Sequence, residues 1–181
     1  ILGKLDITDS SVNVAAADIE VLNAVDSVSL SDENALNLSV AKALAIFDKA
    51  NNSSANNNGS PDGSFRANYS ITDTVANVLV TANSNVITRS SGVTVTTSAN
   101  LTQATELAAI KTMGADISFN IVDTVGNIFN GNALANSETT NKATNVSLVV
   151  DPSVETPLTA SISLVQATAL EAATNSGTVS Y

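Results

Sequence analysis

Apolar and polar positions alternate in this chain in one arrangement that returns three times. In Tyr69-Ser70-Ile71-Thr72-Asp73 and Phe119-Asn120-Ile121-Val122-Asp123 an apolar residue opens the run and an isoleucine follows two places on. Leu5-Asp6-Ile7-Thr8-Asp9 repeats the pattern. A period of two predicts a strand with one buried face. Beyond each aspartate the spacing changes. Val75, Val78, Leu79 and Ala82, and in the first copy Val12, Ala16, Ile19 and Leu22, recur at helical intervals. The full signature is apolar-x-Ile-x-Asp-Ser/Thr-x-x-Asn-Val/Ile, over Leu5 to Val14, Tyr69 to Val78 and Phe119 to Ile128. Fixed-order self-similarity at this range marks a repeat protein.

Two further pieces follow in every copy. Val28-Ser29-Leu30, Val93-Thr94-Val95 and Val146-Ser147-Leu148 predict a second short strand. Stretches starting at Leu38, Leu101 and Leu164 share Leu-x-x-Ala-x-x-Leu. They predict an amphipathic helix whose apolar face is Leu38, Ala41, Leu44 and Ala45 in the first copy. In the second copy that face is Leu101, Ala104, Leu107 and Ala108, with Ile110 corresponding to Phe47 and Asn100 or Thr102 as cap. Glu171 stands where Ala45 and Ala108 stand, so the third helix is expected to end earlier or meet a different neighbour.

Each unit thus reads strand–helix–strand–helix. The units run 1–68, 69–118 and 119–180, and Tyr181 falls where Tyr69 and Phe119 fall, as the first residue of a fourth. With no initial methionine, the chain is expected to be a segment of a longer protein. The spacing from Asp9 to Leu38 matches that from Asp73 to Leu101 within one residue, while Asp123 to Leu164 is longer. An insertion is therefore expected around 149–162, where Pro152 and Pro157 break regular structure. The Asn/Ser/Gly-rich stretch 51–64 is a second insertion and reads as an exposed loop. Strands alternating with helices favour parallel pairing through right-handed crossovers. A single unit buries too little to stand alone, so stacked units sharing a core are expected. The fold class is α/β, tandem strand-helix-strand-helix repeats stacked as an elongated array. The alternative is a set of all-β sandwich modules, which the valine and threonine content permits.

Asp9, Asp73 and Asp123 stand where a helix N-cap belongs, and a carboxylate suits the positive end of a helix. Asn13, Asn77 and Asn127 follow one turn later and are placed to bond back to the preceding loop. The other role open to these aspartates, and to Asp62 in Gly59-Ser60-Pro61-Asp62-Gly63, is as oxygen ligands for Ca²⁺. EF-hand spacing and the glycine-rich calcium nonapeptide are absent. Asp116 and Asp123 are a further carboxylate pair whose meaning depends on their separation. Asn-x-Ser/Thr sequons occur at Asn68, Asn100 and Asn145, as expected by chance in so polar a chain.

Composition narrows the chemistry. There is no histidine and no cysteine among the 181 residues. That excludes imidazole general bases, Ser-His-Asp and Cys-His arrangements, disulfides and the usual zinc ligands. Aromatic residues are 3% and charged residues 13%, so the core must be Val, Leu, Ile and Ala, and the surface Ser, Thr and Asn. A net charge of −10 with 7 basic residues disfavours nucleic acid and anionic membrane surfaces. No apolar run is long enough to span a bilayer.

The run Tyr69 to Val78, with Phe119 to Ile128 and more loosely Leu5 to Val14, resembles the DTAANI-type repeats of very large bacterial secreted surface proteins. These include RTX-type adhesins and haemolysin-type calcium-binding exoproteins. Gln103-Ala104 and Gln166-Ala167 resemble a later part of the same repeat. The chain departs from the common form at Ser10-Ser11-Val12, Val75 and Val125-Gly126. The resemblance implies an exported, cell-surface or extracellular protein acting as stalk, coat, filament, S-layer-like lattice element or adhesin. Calcium often supports such proteins through glycine-rich repeats elsewhere in the polypeptide. The expected partners are copies of the chain or adjacent repeats of the same polypeptide. The expectation is a structural segment without enzymatic activity and without a bound cofactor. The alternative is an adhesin module holding a cell-surface glycan or Ca²⁺ in loops 51–64 and 149–162, with Phe65 and Tyr69 as the aromatic residues near the first loop.

Overall fold

The alternating segments form strands and the helical-period segments form helices, in a mixed α/β fold. The computed structural model describes residues 5–32, 34–47, 68–110, 112, 117–151, 160–173 and 177–180. Asp62, Asp116, Tyr181, loop 51–64 and most of loop 149–162 lie outside these residues. In chain order the first elements are β1 (Asp6–Asp9), α1 (Ser11–Ala16), α2 (Ile19–Ala24), β2 (Ser27–Leu30), β3 (Leu36–Leu38) and α3 (Val40–Phe47). Then come β4 (Tyr69–Asp73), α4 (Val75–Val78), a 3₁₀ turn at Thr81–Asn83, α5 (Ser84–Arg89), β5 (Val93–Val95) and α6 (Leu101–Ala109). β6 (Ile117–Ser118), β7 (Asn120–Thr124), α7 (Val125–Ile128), β8 (Phe129–Asn130) and β9 (Ala133–Leu134) follow. α8 (Ser137–Lys142), β10 (Asn145–Val149), α9 (Leu164–Glu171) and β11 (Val179–Ser180) complete the chain. With helices in every repeat, the sandwich alternative is set aside.

The contacts divide the chain into two units. The first comprises Ile1–Asp73, Val80–Val93 and Thr112–Ala115; the second comprises Thr74–Leu79, Thr94–Lys111 and Asp116–Tyr181. In the first unit β1 pairs in parallel with β2, Ile7 opposite Val28 and Asp9 opposite Leu30. β3 pairs in parallel with β4, Leu38 opposite Ile71. On its other edge β4 takes backbone bonds with Ser91 and Gly92. The inward residues Val28, Leu30, Leu36, Leu38 and Ile71 are at most 2% exposed, so the period-two pattern is realised as a buried apolar stripe.

In the second unit β10 lies between β7 and β11, parallel to both, with Val146 opposite Ile121 on one side and Val179 on the other. Ala99 forms a parallel bridge to Ile121. β8 and β9 form an antiparallel hairpin closed at Gly131, whose φ of 64° is costly for any residue with a Cβ. The predicted strands Val28–Leu30, Val93–Val95 and Val146–Leu148 are realised in β2, β5 and β10.

Two helical expectations need correction. Val12, Ala16, Ile19 and Leu22 do not share one face, because the helix breaks at Ala17 into α1 and α2. Val14 and Leu22 are buried, whereas Val12 is 72% exposed. The apolar motif of the first copy is also out of step. Leu38 belongs to strand β3, and α3 buries Val40, Ala43 and Ile46, leaving Leu44 42% exposed. In α6 the expected Ala104 and Leu107 are the buried pair. The equivalent of Leu101 is therefore Val40, not Leu38. The Leu-x-x-Ala-x-x-Leu match of the first copy was a coincidence of an apolar strand end with an apolar helix. In the third copy α9 runs on through Glu171, with Leu170 buried.

Candidate functional site

Asp9 and Asp73 are the last residues of β1 and β4, and Asp123 is the last but one of β7; each stands one place before the helix cap proper. The caps are Ser10, Thr74 and Thr124; Ser10 and Thr74 accept from the backbone of Asn13 and Asn77. The hydroxyl reaches the N3 nitrogen and frees the aspartate for other donors. Asp9 Oδ1 accepts from the Ser10 N–H at 2.7 Å and from Asn13 Nδ2 at 2.7 Å. Asp123 Oδ1 does the same with Thr124 N–H at 2.8 Å and Asn127 Nδ2 at 2.7 Å. In the first and third copies the motif asparagine thus clamps the motif aspartate across one helical turn. The Asn13 amide, ahead of the Ser10 N–H, holds the Asp9 carboxyl below its ordinary range.

The second oxygen of Asp73 and of Asp123 crosses to a neighbouring segment. Asp73 Oδ2 accepts from the N–H of Val40, first residue of α3, at 2.8 Å. Asp123 Oδ2 accepts from the N–H of Leu101, first residue of α6, also at 2.8 Å. These N–H groups have no partner inside their own helix. A carboxylate there satisfies a donor and meets the positive helix end.

Two more residues perform the same task. Asp32 accepts from the N–H of Ser11, first residue of α1, at 3.1 and 3.2 Å, and from its hydroxyl. Thr97 Oγ1 accepts from the N–H of Val75, first residue of α4, at 3.0 Å. At Asp32 partial desolvation opposes ionisation, but the Ser11 and Asn34 bonds outweigh it and hold the carboxyl below its ordinary range. Sequence reasoning missed Asp32 and Thr97. The signal was register: each lies level with the helix start it serves, 21 and 22 residues on.

The opposite helix ends are served by lysine. Lys42 Nζ donates to the carbonyl of Ala15 at the end of α1, and Lys142 Nζ to that of Ala108 at the end of α6. Unpaired carbonyls and the negative helix end both favour a cation there. Helices α1 and α6 therefore carry a carboxylate at the start and an ammonium at the end, both from later segments of the chain.

Among the described residues no group of three His, Cys, Asp or Glu side chains is placed to hold a metal ion. No described helix is long and apolar enough to cross a membrane. Comparison with family models, with curated proteins and with solved structures finds no match to this chain.

Proposed function

We propose that this chain is a structural repeat segment of a large extracellular bacterial surface protein, built as tandem strand–helix units stacked into an array that serves as stalk, coat or filament element. The observation that carries the reading is the use of the motif carboxylates. Asp73 and Asp123, the most regular acidic residues of the repeat, are committed to the N–H groups of Val40 and Leu101. A side chain spent on joining one strand–helix step to another belongs to a device for building length. The parallel strand ladders and the Ser, Thr and Asn surface support the same reading.

Sedimentation velocity and negative-stain electron microscopy of the purified segment test it, with and without Ca²⁺. A rod with a high frictional ratio is expected. A near-spherical particle, or a hydrolytic or transfer activity abolished by one point substitution, would overturn it.

A further inference from the structure

Asn130 ends β8, and Gly131 opens the two-residue turn that leads into β9. Gly131 has a φ of 64°, and among the described residues no residue with a Cβ has a positive φ, so the turn is type II′. Asn130, Gly131 and Asn132 are exposed. Nothing lies within 4 Å of the place a Gly131 Cβ would take. The Gly131 N–H has no acceptor among the described residues. An amide side chain is thus followed by an open, unhindered and unengaged backbone nitrogen, the pair that closes most readily into a five-membered imide.

The hairpin is held shut from outside. Each of its strands has two residues, and a hairpin of that size is marginal by itself. Ile128 and Phe129 are buried, and the Ala135 N–H donates to the Ile128 carbonyl at 2.9 Å. Helix α9 packs against β9. Gln166 Nε2 donates to the Gly131 carbonyl at 2.8 Å. The same side chain closes the capping box of α9, its Oε1 accepting from the Ser163 N–H at 2.9 Å. One glutamine therefore ties the turn to the start of the helix.

We propose that Asn130 is a site of spontaneous, enzyme-free conversion to aspartate and isoaspartate, and that Gln166 restrains the conversion. Base removes the Gly131 amide proton, and the nitrogen attacks Asn130 Cγ. The new N–Cγ bond replaces the Cγ–Nδ2 bond, and ammonia leaves. Water then opens the imide, at the side-chain carbonyl to give aspartate or at the main-chain carbonyl to give isoaspartate. No electrons are exchanged, and water is the co-reactant. The ring cannot close while Asn130 keeps its extended strand conformation, so the reaction passes through local opening of the hairpin. Isoaspartate adds one carbon to the main chain, which breaks the register of Asn130 on Ala133 and draws the Gly131 carbonyl away from Gln166. Age is thereby written into the seat of α9, together with one more negative charge.

The test is incubation of the purified chain in mildly alkaline buffer, followed by peptide mass mapping and labelling with an isoaspartyl methyltransferase. The peptide holding Asn130 is expected to gain the mass of the acid form and to accept label. It should do so more slowly in the folded chain than in urea, where the hairpin is open. Gln166→Glu keeps an acceptor for the Ser163 N–H but removes the donor to Gly131. Loss of one ordinary hydrogen bond raises an open population about fivefold, and the conversion should quicken by that factor while the circular dichroism spectrum is unchanged. An Asn130 peptide that stays unmodified, or equal rates in the folded chain and in urea, would overturn the proposal. A folded Gln166→Glu variant that converts at the parent rate would overturn the restraint.

Discussion

Asp123 Oδ2 lies 2.8 Å from the backbone nitrogen of Leu101, which precedes it by 22 residues. Asp73 holds Val40 in the same way across 33 residues. The same bond spans different loop lengths because register, not sequence distance, sets it: the strand carrying the aspartate pairs beside the segment that starts the helix.

Asp123 should therefore be a stability residue. It is 8% exposed and accepts from Leu101, Thr124 and Asn127. Asp123→Ala leaves these donors without their acceptor and is expected to cost about 2–3 kcal/mol; Asp123→Asn, which keeps an acceptor oxygen, should cost about 1 kcal/mol. Urea unfolding of the two variants checks the values. Equal, negligible losses would show that the carboxylate does not join the segments.

The helix register of α3 is tested by neighbouring leucine and isoleucine positions. Ile46 is 1% exposed and Leu44 is 42% exposed. Ile46→Ala should cost about 2–5 kcal/mol, and Leu44→Ala about 0.5 kcal/mol or less. The reverse order would restore the Leu38-Ala41-Leu44 face expected from the motif.

Two glycines should respond with opposite signs. A Cβ on Gly126, inside α7, meets nothing within 4 Å, so Gly126→Ala should raise stability by about 0.5–1 kcal/mol through helix propensity. A Cβ on Gly177 would lie 2.2 Å from the Thr144 carbonyl oxygen, a backbone atom that cannot swing aside. Gly177→Ala should lower stability by about 1–3 kcal/mol. Melting temperatures of the two variants on either side of the parent would bear this out.

The pH profile should be flat near neutrality, since the chain has no histidine. Asp9 and Asp32 ionise more readily folded than unfolded. Their contribution is thus present above the unfolded carboxylate pKa and is lost as pH falls through the lower folded value, so the melting temperature should drop only below about pH 4. At the alkaline end burial pushes the Tyr69 hydroxyl up to about 12, with Arg89 pulling weakly the other way. That hydroxyl donates to the Val86 carbonyl at 2.7 Å. The unfolded tyrosine ionises first, so stability should fall as pH rises above about 10. Absorbance titration of Tyr181→Phe isolates Tyr69; a midpoint near 10 in the folded protein would contradict the burial argument.

The sequence by itself determined the repeat, the strands β4 and β7, the second strands β2, β5 and β10, and the backward reach of the motif asparagines, which in Asn13 and Asn127 ends on the aspartate one turn before. All of these are local. Alternation and capping act within a few residues, where side-chain spacing alone sets what is buried and what is bonded. The tertiary structure decided which oxygen goes where. Nothing near Asp73 names Val40 as its partner, and nothing near Asp32 marks it as the acceptor for Ser11. It also decided that α3 buries Val40 and Ile46 while Leu44 faces water, although the residues from Leu38 to Leu44 match the later helices letter for letter at the apolar sites. Parallel pairing aligns segments separated by loops of different length, and the unpaired N–H groups at a helix start bond to whatever acceptor that alignment brings level with them.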